Sequence, residues 1–162
     1  MMVEEIAVRE FIEECLERTR GKAMAKGVRL RAAEEDRGTV CRADRKLLRA
    51  ALGNMVEAVI FYSRSGSVVT VGCRSDDMRE GIYVAGDNGR IPFDELRAMR
   101  GLFCRPTMPE TRDIEELQMP MTCVSVVKDI ADLHGGMVGV RSLEGDGLTL
   151  TLYLPRAQRG VA

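Results

Sequence analysis

The chain has 162 residues, with 24 basic and 25 acidic side chains and a formal net charge of −1. That length suffices for one α/β domain with a sizeable core, and the balanced charge gives no global electrostatic footprint for nucleic acid or an anionic membrane. No apolar run approaches the roughly 18 residues of a transmembrane helix, so direct membrane insertion is not expected. The acidic N-terminus, MMVEEIAVREF, is helical in pattern and does not read as a signal peptide. The five cysteines are widely spaced, form no CxxC pair and are accompanied by a single histidine. This argues against a zinc site or a disulfide framework and for reduced thiols in a cytoplasmic setting, alone or as part of a membrane-anchored receptor.

In chain order, residues 3–26 read as one charged helix with an apolar stripe of Ile6, Val8, Phe11, Ile12, Cys15 and Leu16. Gly27 marks its end. Val28–Arg31 and Thr39–Arg42 read as two short strands that pair with each other. Asp44 is a plausible N-cap for a long helix, Arg45–Tyr62, in which Gly53 asks for a packing or close-approach reason. Ser67–Arg74 and Gly81–Ala85 are strands. They discharge into Gly86-Asp87-Asn88-Gly89-Arg90, either a ligand-facing loop or a simple turn. Phe93–Arg100 is a short helix. Residues 101–120 lack a clean period and read as a lid-like loop. The final helix carries Val126, Val127, Ile130 and Leu133 and runs into His134-Gly135-Gly136. Met137–Arg141 is a strand, and Gly145 and Gly147 allow a tight reversal. Leu148, Leu150, Leu152 and Leu154 then alternate with polar residues as in a half-buried strand, and residues 156–162 form a polar tail. With no linker or repeat, residues 1–162 form a single domain. The expected fold is a two-layer α/β sandwich, a mixed but mostly antiparallel sheet covered on one face by three main helices.

The segments VVKDIADLHGG at 126–136, SLEGDGLTLTLYLP at 142–155, DNG at 87–89 followed by IPFDEL, and NMVEAVIFYS at 54–63 together carry a resemblance. The chain resembles the ATP-binding catalytic domain of bacterial sensor histidine kinases, a superfamily shared with gyrase B, Hsp90 and MutL and built on the Bergerat-type fold. The resemblance covers residues 3–155. It implies ATP and Mg2+ as ligands, and a histidine-bearing dimerisation domain or a response regulator as partner. It gives no nucleic-acid role. Asp87 matches the aspartate that accepts from the adenine amino group, and Gly89 the glycine that lets the base approach the backbone. Aligning Tyr62 with the family tyrosine puts Asn54 on the first box asparagine and Glu57 on the acidic position. Glu57 is then the candidate general base, with Asn54 and Glu57 as candidate magnesium ligands. His134 matches the histidine of the LHGG segment, which has a structural role as a helix C-cap.

Three parts depart from the pattern. Ala58 stands where the magnesium-binding asparagine falls, and a methyl cannot ligate a hard cation. DNGRIP replaces DNGxGIP, so Arg90 occupies a position where it either clashes with nucleotide or helps hold phosphate. Met119–Val124 replaces the glycine-rich phosphate cradle, leaving Thr122 as a possible cap of the helix N-terminus and a phosphate contact. Two functions follow from the resemblance: a sensor-histidine-kinase catalytic domain with a degenerate nucleotide site and weak activity, or a non-catalytic pseudokinase module that binds a kinase or response regulator.

Overall fold

A computed structural model of the chain describes residues 1–34, 39–104, 120–143 and 147–156. Most of the stretch read as a lid, Met119 of the altered cradle, the Gly145–Asp146 turn and nearly all of the tail lie outside the described residues. The element order is β1 (Val3–Ala7), α1 (Val8–Lys26), β2 (Arg29–Ala32), β3 (Val40–Asp44), α2 (Arg45–Tyr62), β4 (Val68–Ser75) and β5 (Arg79–Gly86). Then come α3 (Phe93–Phe103), α4 (Met121–Leu133), β6 (Met137–Leu143) and β7 (Gly147–Pro155).

Five strands form one sheet in the order β2-β4-β5-β7-β6. Only β2 and β4 run parallel, and the other pairs are antiparallel. Alternate residues of the central strands enter the core: Val69 and Val71, Ile82 and Val84, and Leu148, Leu150, Leu152 and Leu154. Against this apolar face pack α1, α2 and α4, with Phe11, Leu16, Leu48, Leu52, Met55, Val124, Val127 and Ile130 buried. The two-layer sandwich with one helical layer is therefore the observed architecture.

The N-terminal helix begins later than its sequence pattern implies. Residues 3–7 form β1, which pairs antiparallel with β3 in a separate two-stranded sheet. Its first three residues are exposed and only Ile6 is buried, so period two leaves almost no trace in the sequence. The same pairing corrects the partner of the segment at 40–44, which joins β1 rather than β2. Gly27 ends α1 in the left-handed conformation with φ 75°. Helix α3 continues through Gly101, Leu102 and Phe103, so the lid-like segment starts no earlier than Cys104. The expected constraint on Gly53 is absent: a Cβ there would meet nothing within 4 Å.

One junction ties the two-stranded sheet to α2 and α4. The Asp44 carboxylate caps α2 by accepting from the Leu47 backbone N–H (3.1 Å), and its second oxygen accepts from the Met2 N–H (2.8 Å). The Asp44 backbone N–H donates to His134 Nε2 (3.0 Å), while His134 Nδ1 lies 2.8 Å from the Ile130 carbonyl. The imidazole is thus the neutral Nδ1–H tautomer, bridging the end of α4 to the start of α2. Deeper in α4, Lys128 and Asp132 form an i,i+4 ion pair at 2.5 Å whose side chains are only 8% and 14% exposed.

Three measurements test this account. The Met2 and Leu47 backbone donors hold the Asp44 carboxyl below the usual carboxylate range. A depressed folded value means that its contribution is complete above the unfolded value, near pH 4, and is lost as pH falls through the folded one. Urea midpoints of the wild type should therefore decline more steeply between about pH 5 and pH 2 than those of Asp44→Asn. Removing the partner of a buried charge is costly, so Asp132→Ala should lower unfolding free energy by roughly 3 kcal/mol, and Lys128→Met/Asp132→Leu by much less. Burial pushes the Cys15 and Cys41 thiols to about 11, Cys73 and Cys123 are also buried, and only Cys104 is exposed. Ellman's reagent should titrate one thiol quickly in the native protein and the other four only on unfolding.

Candidate functional site

The loop after β5 is stitched to the end of α2. Asp87 N–H donates to the Val68 carbonyl (3.1 Å), and Asp87 Oδ1 accepts from the Val68 N–H (2.8 Å). The carboxylate is thereby anchored by one oxygen at an exposed strand end. Arg64 N–H donates to the Asn88 carbonyl (2.9 Å), and Arg90 N–H to the Tyr62 carbonyl (3.1 Å). Gly89 makes an isolated bridge with Ser63, and a Cβ on it would lie 2.1 Å from the Tyr62 carbonyl oxygen. Close backbone approach to α2 is therefore enough to require glycine here. The structure groups Asp87, Gly89 and Arg90 at one end of α2.

At that end Tyr62 is buried. Burial, with the Glu95 carboxylate alongside, pushes its phenol well above the usual value. Lys26 of α1 supplies the charge at this helix end. Its ammonium donates to the Ile60 carbonyl (2.6 Å) and to the Phe61 carbonyl, and stands 5.5 Å from the Phe61 ring centroid. Burial lowers the Lys26 value, and the helix-end carbonyls hold the charge in place.

Asn54 and Glu57 stand elsewhere. Eight residues separate Asn54 from Tyr62, roughly 12 Å of helix axis. The Asn54 amide donates back to the Ala50 carbonyl of its own helix (2.7 Å). Glu57 pairs with Lys22 of α1 at 2.9 Å, and this hydrogen bond raises the Lys22 value. Both residues line an α1–α2 cleft of about 240 Å³ that also includes Arg18, Lys22 and Arg49. Ala58, which the resemblance aligns with a metal-binding asparagine, is a fully buried methyl. Among the described residues no group of three His, Cys, Asp or Glu side chains could hold a metal ion. Of the two candidate magnesium ligands, Glu57 is already compensated by Lys22, and Asn54 offers only an amide oxygen, its NH2 being bonded to Ala50.

Helix α4 begins at Met121 with Pro120 at the N-cap position and no side-chain cap bond. Thr122 thus lies inside the first turn instead of capping it. A proline at N-cap offers no backbone N–H, and the buried Cys123 and Val124 complete the first turn. The Cys123 thiol is raised first by burial and next by Glu57, which locates α4's first turn near the Lys22–Glu57 pair. Lys22 and Lys26 went unnoticed in the sequence. Their signal is the i,i+4 spacing on one face of α1.

No family model matches the chain. An uncharacterized sensor-like histidine kinase of Rhizobium meliloti is 28% identical over 162 residues, all of this chain and 30% of that protein. Sensor protein DivL of Caulobacter vibrioides is 30% identical over 159 residues, 97% of this chain and 19% of its own length. The chain thus spans less than a third of these curated relatives. Among solved structures, the catalytic domain of histidine kinase ThkA, nucleotide free, superposes with a TM-score of 0.75 at 16% identity. That match covers 96% of this chain and 97% of ThkA's. Full-length ShkA in complex with AMPPNP gives 0.76 at 18% identity, covering 97% of this chain and 32% of that one.

Two glycines should respond in opposite directions. Gly89→Ala drives a Cβ into backbone and should cost about 2 kcal/mol or more, whereas Gly53→Ala in the open helix interior should gain about 0.5–1 kcal/mol, both read by urea denaturation.

Proposed function

The chain belongs to the histidine-kinase-like ATP-binding catalytic domains of the GHKL superfamily, the catalytic modules of two-component signalling, and we propose that it is a member with a degenerate nucleotide site. In this reading Asp87 recognises the adenine of ATP, its Oδ1 fixed by the Val68 N–H and its other oxygen turned to the base. Gly89 and Arg90 form the wall of the same loop. The triphosphate is held weakly, and magnesium contributes little. The observation that carries the reading is the state of the phosphate end: Ala58 is a buried methyl, and Glu57 is already paired with Lys22. Phosphoryl transfer depends on positioning and on compensating charge at the phosphates. With Pro120 and Met121 opening α4, that compensation is thin, so transfer to a histidine on a dimerisation domain is slow. Glu57 is a poor general base while it holds Lys22.

A second reading is favoured by the apolar start of α4, where Cys123 and Val124 are buried. There the domain is a pseudokinase module that binds a kinase or a response regulator without turnover. Both readings fit a cytoplasmic domain, and among the described residues no helix is long and apolar enough to cross a membrane.

Calorimetric titration with ATP and ADP, with and without magnesium, separates the readings. Degenerate recognition gives weak binding, tighter than about 1 mM, that magnesium scarcely changes and that Asp87→Ala abolishes. Heat absent up to millimolar nucleotide leaves the pseudokinase reading, and binding strongly tightened by magnesium refutes the degenerate phosphate site.

A further inference from the structure

The five-stranded sheet has a second face, opposite the helices, which plays no part in the nucleotide reading. Strand register defines its composition. One row across the sheet runs Arg31, Thr70, Ala85, Thr149, Arg141, and the next runs Gly72, Tyr83, Thr151, Gly139. A third runs Arg74, Gly81, Tyr153, Met137, with Arg29 and Arg79 at further positions of the same parity. Five arginines thus occupy this face, and no Asp or Glu stands at any of its strand positions among the described residues. The net charge of −1 conceals this segregation.

The face is also shaped. A Cβ on Gly72 would lie 2.6 Å from the Tyr83 hydroxyl, so that ring tip rests over the glycine. Tyr153 lies between Gly81 and Gly139, where added Cβ atoms would be 3.3 and 3.4 Å from its ring. The Arg74 guanidinium sits over the Tyr83 ring at 5.0 Å, and that of Arg79 over Tyr153 at 4.8 Å. Beside them a groove of about 370 Å³ is lined by Arg74, Arg141, Thr149 and Thr151.

We propose that this open sheet face is a docking surface for an acidic protein segment, whose carboxylates pair with Arg74 and Arg141 across the groove. A guanidinium parked on a ring is pre-organised and keeps its N–H edge for a planar carboxylate. Thr149 and Thr151 add hydroxyl donors between the two charges. A nucleic-acid strand needs bare aromatic faces for its bases, and here a guanidinium already stands over each tyrosine ring. Arg79 is partly engaged by Asp76 at 3.5 Å, so the burden falls on Arg74 and Arg141.

The test uses the full chain and a fluorescein-labelled oligoglutamate peptide, followed by anisotropy at low ionic strength. Binding should be salt-sensitive and should weaken roughly tenfold or more in Arg74→Glu/Arg141→Glu, two exposed positions. Arg9→Glu/Arg20→Glu, in the helical layer, should leave it unchanged. Amide NMR shifts in the wild type should map to Gly139, Thr149 and Thr151, which keeps the test valid if the charge-reversed variant is destabilised. The proposal is overturned by absent binding, by equal binding to both double variants, by shifts confined to the helical layer, or by an oligothymidylate that binds more tightly than the peptide.

Discussion

The junction of Asp44 with His134 is the polar constraint that fixes α2 and α4 against each other. Asp44 uses both carboxylate oxygens and its own N–H, and so joins the N-terminal strand, the first turn of α2 and the last turn of α4. The imidazole accepts at Nε2 because its Nδ1–H is committed to the Ile130 carbonyl. Helices α2 and α4 therefore meet at a fixed point, with α4 running back along α2 until Cys123 comes near Glu57. At the other end of α2, Lys26 and the loop through Gly89 bind its last carbonyls. The helix on which the candidate site is built is thus held at both ends by polar contacts, and along its length by apolar ones.

Helix α2 acts as a ruler for the site. It carries Asn54, Glu57, Ala58 and Tyr62 at set heights, so the state of one end says little about the other. The end at Tyr62 keeps an anchored carboxylate, Asp87, and a glycine whose absent Cβ backbone contact demands. The stretch around Glu57 holds a buried methyl, Ala58, and a lysine-paired glutamate, with the proline-led start of α4 alongside. Fold and chemistry separate here because packing residues and ligand residues occupy different faces of the same elements.

The sequence revealed elements whose burial is periodic. Helix α2 runs from Arg45 to Tyr62 as its apolar spacing implies, and the leucines of β7 alternate into the core. Strand β1 escaped because one buried side chain in five makes no pattern, and its hydrogen bonds go to β3, thirty-odd residues away. The same limit applies to the site. Asp87 and Gly89 stand out as a local motif, whereas the Lys22–Glu57 pair joins two helices and has no local signature. For Gly89 the resemblance gives the approach of a base as the reason, whereas in the fold the α2 backbone at Tyr62 already requires a glycine, a contact with no local signature. Nor could composition reveal the cationic sheet face, since acidic residues elsewhere in the chain, such as Glu4, Glu5, Asp76, Asp77 and Asp87, balance its charge.

Gly136 gives α4 a mechanical property. A Cβ on it would lie 2.0 Å from the Tyr153 carbonyl, so the chain at this point is pressed backbone to backbone against β7. With His134 bonded two residues earlier, the C-terminal end of α4 is a fulcrum. The helix spans 13 residues, a lever arm of roughly 20 Å. A tilt of about 10° would shift Lys128, near mid-helix, by less than about 2 Å but carry Met121 by roughly 3.5 Å, from the same lever arm. Displacement of this helix is therefore graded along its length. Such a tilt would move the helix least at the sheet junction and most at Met121.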